Sequence, residues 1–240
     1  MKTLIDKTHR NGLEVLTYRP QTPSRLLFLQ HGIRSKKESP MQLLGVSFAR
    51  LGYEVVGIDA YKHGSRAEEP FATGHPDLCE LATMDVVEKT AQELKNLYHN
   101  HYQTRYPTFD IVGISMGGLI AYLLSTLTDN IDTLVALISS PRFLEAAEHT
   151  FPPYKQAQYP KETAISRAKV QALDPSHNPD AMMYRRLIML NGAEDPVIPA
   201  SQSASFMHEN PHRNIVFETF NTEHKISVAM HETLLELLTR

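Results

Sequence analysis

The sequence predicts an α/β fold: a mostly parallel central sheet flanked by helices, with a small helical insertion. Three observations predict it. Short apolar runs rich in β-branched residues alternate with longer segments of helical spacing, the order that strand–helix–strand units require. The runs are near-continuously apolar, which suits strands buried on both faces better than an open antiparallel sheet. The 240 residues are enough for one sizeable core, so 1–240 is read as a single domain.

The elements follow in order. A weak strand is read at 14–18. Leu26-Leu27-Phe28-Leu29 is a buried strand ending at Gln30-His31-Gly32, and 41–51 has helical spacing. Tyr53–Ile58 is the next strand, ending at Asp59. A long helix spans 77–100, with Leu81, Met84, Val87, Ala91 and Leu94 recurring at three- and four-residue steps. Strands at 109–113, 131–138, 187–190 and 215–220 follow, with an apolar helix over 117–127 and a closing helix over 226–238. The stretch 141–184 breaks the rhythm. It has no buried-strand pattern, is rich in proline and carries the aromatic residues Phe143, Phe151, Tyr154 and Tyr159. A structureless loop of that length is unusual in a compact domain, so 141–184 is expected to be a cap-like helical insertion over one end of the sheet.

Composition bounds the function. Hydrophobic residues make up 42% and charged residues 21%, which is ordinary for a globular chain and excludes disorder. A formal net charge of −3 with no long basic run argues against a nucleic-acid partner. Arg34, Lys36 and Lys37 form the densest basic cluster, which a solvated loop explains. Cys79 is the single cysteine, so no disulfide framework is expected. The N-terminus turns polar before a signal-peptide core could form, and no apolar stretch reaches membrane-spanning length. A cytoplasmic protein with no membrane partner is the expectation.

The strongest chemical signal is Gly113-Ile114-Ser115-Met116-Gly117-Gly118, which follows a strand and opens a helix. A Gly-x-Ser-x-Gly turn in that context holds its serine in a strained position with the hydroxyl clear of the sheet. The helix start also aims backbone N–H groups at a developing oxyanion. A serine hydroxyl becomes a nucleophile only with a base, and the base needs an orienting carboxylate. Where Ser115 sits on such a turn, the order is serine, then acid, then histidine. Asn191-Gly192-Ala193-Glu194-Asp195-Pro196 after the fifth strand offers Asp195 or Glu194. His224, immediately after the sixth strand, is the histidine in last position. A loop aspartate can also be a plain helix cap. Ligand sites of open α/β sheets lie at these carboxyl ends of strands. The backbone N–H groups of Ile33, after His31-Gly32, and of Met116 are the expected oxyanion donors.

With His31-Gly32-Ile33, the turn at 113–117, Gly192-x-x-Asp195 with Pro199, and His224, the chain resembles the α/β-hydrolase superfamily from about residue 26 onward. That pattern selects Asp195 over Glu194. The loop Asp59-Ala60-Tyr61-Lys62-His63-Gly64-Ser65-Arg66 makes it most similar to small bacterial esterases related to dienelactone hydrolases and prolyl-oligopeptidase catalytic domains. In those relatives the loop borders the site and is mainly architectural, which keeps His63 out of the triad. Dienelactone hydrolases proper use a cysteine where this chain has Ser115, so that activity is not implied.

The resemblance implies hydrolysis of small carboxylic esters, short-chain ones above all, through an acyl-enzyme, with no metal and no organic cofactor. Ser115, His224 and Asp195 would form the triad. Apart from the resemblance, the aromatic residues of the insertion suggest an apolar acyl or alcohol pocket lined by Phe151 and Tyr154, and Arg34, which follows the expected oxyanion residue Ile33, would meet an anionic group of the substrate. A thioesterase or acyltransferase, a peptidase or amidase, and a non-catalytic binding protein are the alternatives on the same residues.

Overall fold

The computed structural model describes residues 2–239. Its sheet has eight strands in the order β1-β2-β4-β3-β5-β6-β7-β8. They are β1 Leu4–Arg10, β2 Leu13–Arg19, β3 Arg25–Gln30, β4 Tyr53–Ile58, β5 Phe109–Ile114, β6 Ile131–Leu137, β7 Arg186–Gly192 and β8 Ile215–Phe220. Strands β3 to β8 run parallel, and the β1–β2 hairpin joins β4 antiparallel. The expected mostly parallel sheet is therefore present. β1 was not anticipated. It is a largely exposed edge strand carrying Asp6, Lys7 and Arg10, charges that discourage edge-to-edge pairing.

Period-two alternation divides the strand residues between two cores. On one face Phe28, Ile111, Leu134 and Met189 pack with helix α3 (Pro76–His101) and helix α4 (Met116–Ser125). On the other, Leu29, Val112, Val135 and Ile188 pack with α9 (Val228–Thr239) and a helical run made of α1 (Glu38–Pro40), a π-turn (Met41–Gly45) and α2 (Val46–Arg50). Being buried on both sides explains why these strands read as continuous apolar runs. No described helix is long and apolar enough to cross a membrane.

The stretch 141–184 contains α5 (Phe143–Thr150), α6 (Pro153–Gln156), α7 (Pro160–Leu173) and two single 3-10 turns. Asp174 ties its two ends, accepting the Leu144 N–H at 2.8 Å and the Ser176 N–H at 2.9 Å. Lys155 pairs with Asp77 at 2.9 Å and Lys169 with Glu88 at 2.7 Å, both across to α3.

One expectation is corrected. Lys37 is not in a solvated loop: it is 1% exposed. Its ammonium lies 2.7 Å from both Asp59 and Glu14. An ammonium in that position is tolerable only because these carboxylates neutralise it.

Candidate active site

The chain leaves β3 toward β4 on one side and later returns to β5 on the other, so the carboxyl ends of β3 and β5 form a topological switch point. Ser115 stands there, between β5 and α4. Its φ of +54° is strained for a residue with a Cβ, the cost of turning directly from strand to helix. The turn is possible because a Cβ on Gly113 would overlap the carbonyl of Gly117, and one on Gly117 would overlap that of Gln30. Gly113→Ala is therefore expected to destabilise by roughly 3 kcal/mol or more. That lowers Tm by roughly 6 °C or more in thermal unfolding; an unchanged Tm would contradict the close approach of strand and helix.

Three loops bring the expected residues together. His224 Nε2 is 2.9 Å from Ser115 Oγ, and His224 Nδ1 is 2.7 Å from Asp195 Oδ2. The other carboxylate oxygen of Asp195 accepts the N–H groups of Val197 at 2.8 Å and Ile198 at 2.9 Å. Asp195 thus stabilises its own turn and also meets the histidine. Glu194 is exposed, and among the described residues only its backbone finds partners. The Ala193 N–H donates to Phe220 O at 2.7 Å and the Glu194 N–H to Thr222 O at 3.2 Å. Backbone bonds between the two loops therefore set the separation of Asp195 and His224. His149 of α5 adds a hydrogen bond from its ring to Pro196 O at 2.8 Å.

The loop after β3 is held from below. The Ala60 N–H donates to His31 Nε2 at 2.9 Å, so Nδ1 carries the proton and donates to Gly32 O at 2.8 Å. Burial pushes the His31 imidazole down to about 4, which keeps it neutral at pH 7 and preserves that tautomer. In a planar trans peptide the C=O and N–H point in opposite directions. The Ile33 N–H therefore turns away from the His31 ring, and Ile33 lines the same clefts as Ser115 and His224. Met116 is the first residue of α4, so its N–H has no acceptor within the helix. His63 lies beside this frame, its ring 4.3 Å from Phe71 and 5.4 Å from His31.

Ser115 opens onto two clefts. One, a cavity of about 280 Å³, lies between α3, α4, α5 and α7, with Met84, Leu119, Phe143, Phe151 and Val170 among its walls. The second, more open cleft is bordered by Ser35, Leu43, Ile138 and Lys225. Arg34 lines the first cavity and is itself exposed. Phe151 lines it too, but Tyr154 does not: it is 68% exposed. Tyr154 stands two residues before Gln156, which does line the cavity, and so on the opposite side of the helical turn.

Several wall residues escaped the sequence reading, Glu80 and Thr163 among them. Glu80 had a signal. It precedes Met84 by one turn, and so puts a charge on the apolar stripe of α3.

No family model matches the chain. The Bacillus subtilis (strain 168) protein YitV, provisionally assigned as an esterase, is 27% identical over 220 residues, covering 84% of this chain and 83% of its own. Among solved structures, TT1662 from Thermus thermophilus superposes with a TM-score of 0.82 at 22% identity, covering 100% of this chain and 98% of that one. The mouse α/β-hydrolase domain-containing protein 10 superposes with a TM-score of 0.68 at 13% identity, over 98% of this chain and 97% of its own. The shared architecture is the α/β-hydrolase fold.

Proposed function

We propose that this chain, a member of the α/β-hydrolase superfamily, is a serine hydrolase that cleaves small carboxylic esters with Ser115 as nucleophile. The observation that carries the reading is the unbroken hydrogen-bonded chain from Asp195 through His224 to Ser115, ending on a strained serine. The likeness to YitV supports the ester class.

His224 Nε2 takes the Ser115 proton as Oγ attacks the ester carbonyl. Asp195 accepts from Nδ1–H, keeps the imidazole in the useful tautomer and stabilises its positive charge. The N–H groups of Ile33 and Met116 bind the oxyanion as it forms. The carbon–alkoxy bond then breaks, and Nε2–H protonates the departing alcohol. In the second half-reaction His224 activates water, which releases the acid and restores Ser115.

A panel of matched ester, thioester and amide substrates of increasing acyl length tests the reading. Ester turnover falling off with acyl length is the expected result; a preference for thioester or amide would replace the ester assignment. Phe151, 6% exposed in the cavity wall, should limit chain length. Phe151→Ala is expected to raise the long-to-short ratio of kcat/KM by roughly tenfold, and an unchanged ratio would remove Phe151 from the pocket. Arg34 is kept as a contact for an anionic group at that cavity.

A further inference from the structure

The cavity between α3, α4, α5 and α7 is not uniformly apolar. Glu80 of α3 lines it and makes no hydrogen bond or ion pair among the described residues. Burial holds its carboxyl above the usual range, which Lys155 and Arg34 offset only in part. Lys155 is already held by Asp77 at 2.9 Å, and neither cation reaches ion-pair distance of Glu80. Two further lining groups lack partners among the described residues: the buried hydroxyls of Thr163, on α7, and of Ser139, beyond the end of β6. Ser139 itself is 1% exposed. Hydrogen-bonding groups left unpartnered in a largely apolar site discriminate strongly between ligands that satisfy them and ligands that do not.

Resting on the esterase reading, we infer that Glu80 is a specificity-determining residue: it selects esters whose acyl arm is apolar in its body but carries a hydrogen-bond donor, a hydroxyl or a protonated amine. The acyl arm is the one concerned because it stays on Ser115 between the half-reactions and so needs the more enclosed cavity. The alcohol leaves through the open cleft beside Lys225. The carboxyl of Glu80 accepts from the donor, and Thr163 and Ser139 supply secondary contacts.

The test uses the p-nitrophenyl esters of hexanoic acid and of its ω-hydroxy and ω-amino derivatives. Wild-type protein should favour the two donor-bearing esters over the plain one. Glu80→Leu should lower that preference by roughly tenfold. Glu80→Gln should keep the preference for hydroxyl and lose the preference for amine, since an amide still accepts but carries no charge. If Glu80→Leu and Glu80→Gln change all three esters by one factor, the inference is overturned. Equilibrium binding of the same esters to Ser115→Ala separates this from the activity itself. Donor-dependent binding that Glu80→Leu abolishes in that background sustains the inference even if no ester is turned over. Turnover with donor-independent binding sinks it and leaves the esterase reading standing.

Discussion

Ser115→Ala is expected to lower ester kcat/KM by roughly 10⁴-fold or more while leaving the fold intact. The size follows from the arrangement of the three side chains. His224 has nothing to deprotonate once Oγ is gone, and Asp195 then orients a base with no nucleophile, so removing one member forfeits most of what all three do together. What should survive is the contribution expected of the Ile33 and Met116 N–H groups. The fold should tolerate the change because serine and alanine both carry a Cβ at a φ of +54° and bear the same backbone strain. Ser115→Gly makes a useful contrast: with no Cβ to strain, it should be as inactive as Ser115→Ala but no less stable. Steady-state kinetics and thermal unfolding of the two variants check both halves. Turnover within tenfold of wild type in Ser115→Ala would remove the serine from the chemistry.

The second large effect lies under the site. Lys37→Met should cost roughly 3–5 kcal/mol, because it strands the Asp59 carboxylate in a place where its residue is 3% exposed. Burial by itself would raise the Asp59 carboxyl. The Lys37 ammonium at 2.7 Å, the Lys37 N–H at 2.8 Å, and the Ser65 N–H and hydroxyl, each at 2.8 Å, outweigh it and hold it down at about 2. A carboxyl lowered in the folded state contributes stability that is full above its unfolded value and is lost as pH falls through the folded one. For Asp59 in the wild type that window runs from about pH 4 down to about pH 2. Denaturant unfolding should therefore show a wide gap between wild type and Lys37→Met at pH 7, closing at the acid end. The loop that carries Ile33 ends at Lys37, so the variant should also lose kcat. A gap below about 1 kcal/mol that is indifferent to pH would mean that the pair stabilises little.

Lys37 also illustrates what the sequence does not make legible. Arg34, Lys36 and Lys37 look alike in a row, and only the return of β4 beside β2 puts Asp59 and Glu14 around one of the three. Edge strand β1 escaped for a different reason. Its residues alternate weakly because the strand is exposed on both sides. The Asn11-Gly12 turn, with φ of +51° and +76°, was nevertheless there to be read as a two-residue hairpin. Strands β3, β5, β6 and β7 were legible because double-sided burial leaves each a largely apolar run. Ser115, Asp195 and His224 were legible because each stands within about four residues of a strand's carboxyl end, so that locating the strands located the loops. The cavity wall was not, because it is assembled from α3, α4, α5 and α7, and spacing along one helix does not say which face of another it meets. Tyr154 shows the cost: an aromatic residue in the right segment stands on the wrong side of a single helical turn.

Covalent labelling by a fluorophosphonate, read by peptide mass, tests Ser115 as the nucleophile most directly. An activated serine at this position predicts one adduct, on the peptide containing Ser115, abolished in Ser115→Ala and strongly slowed in His224→Ala. Absence of labelling in the wild-type protein, or an adduct that persists in Ser115→Ala, would contradict it.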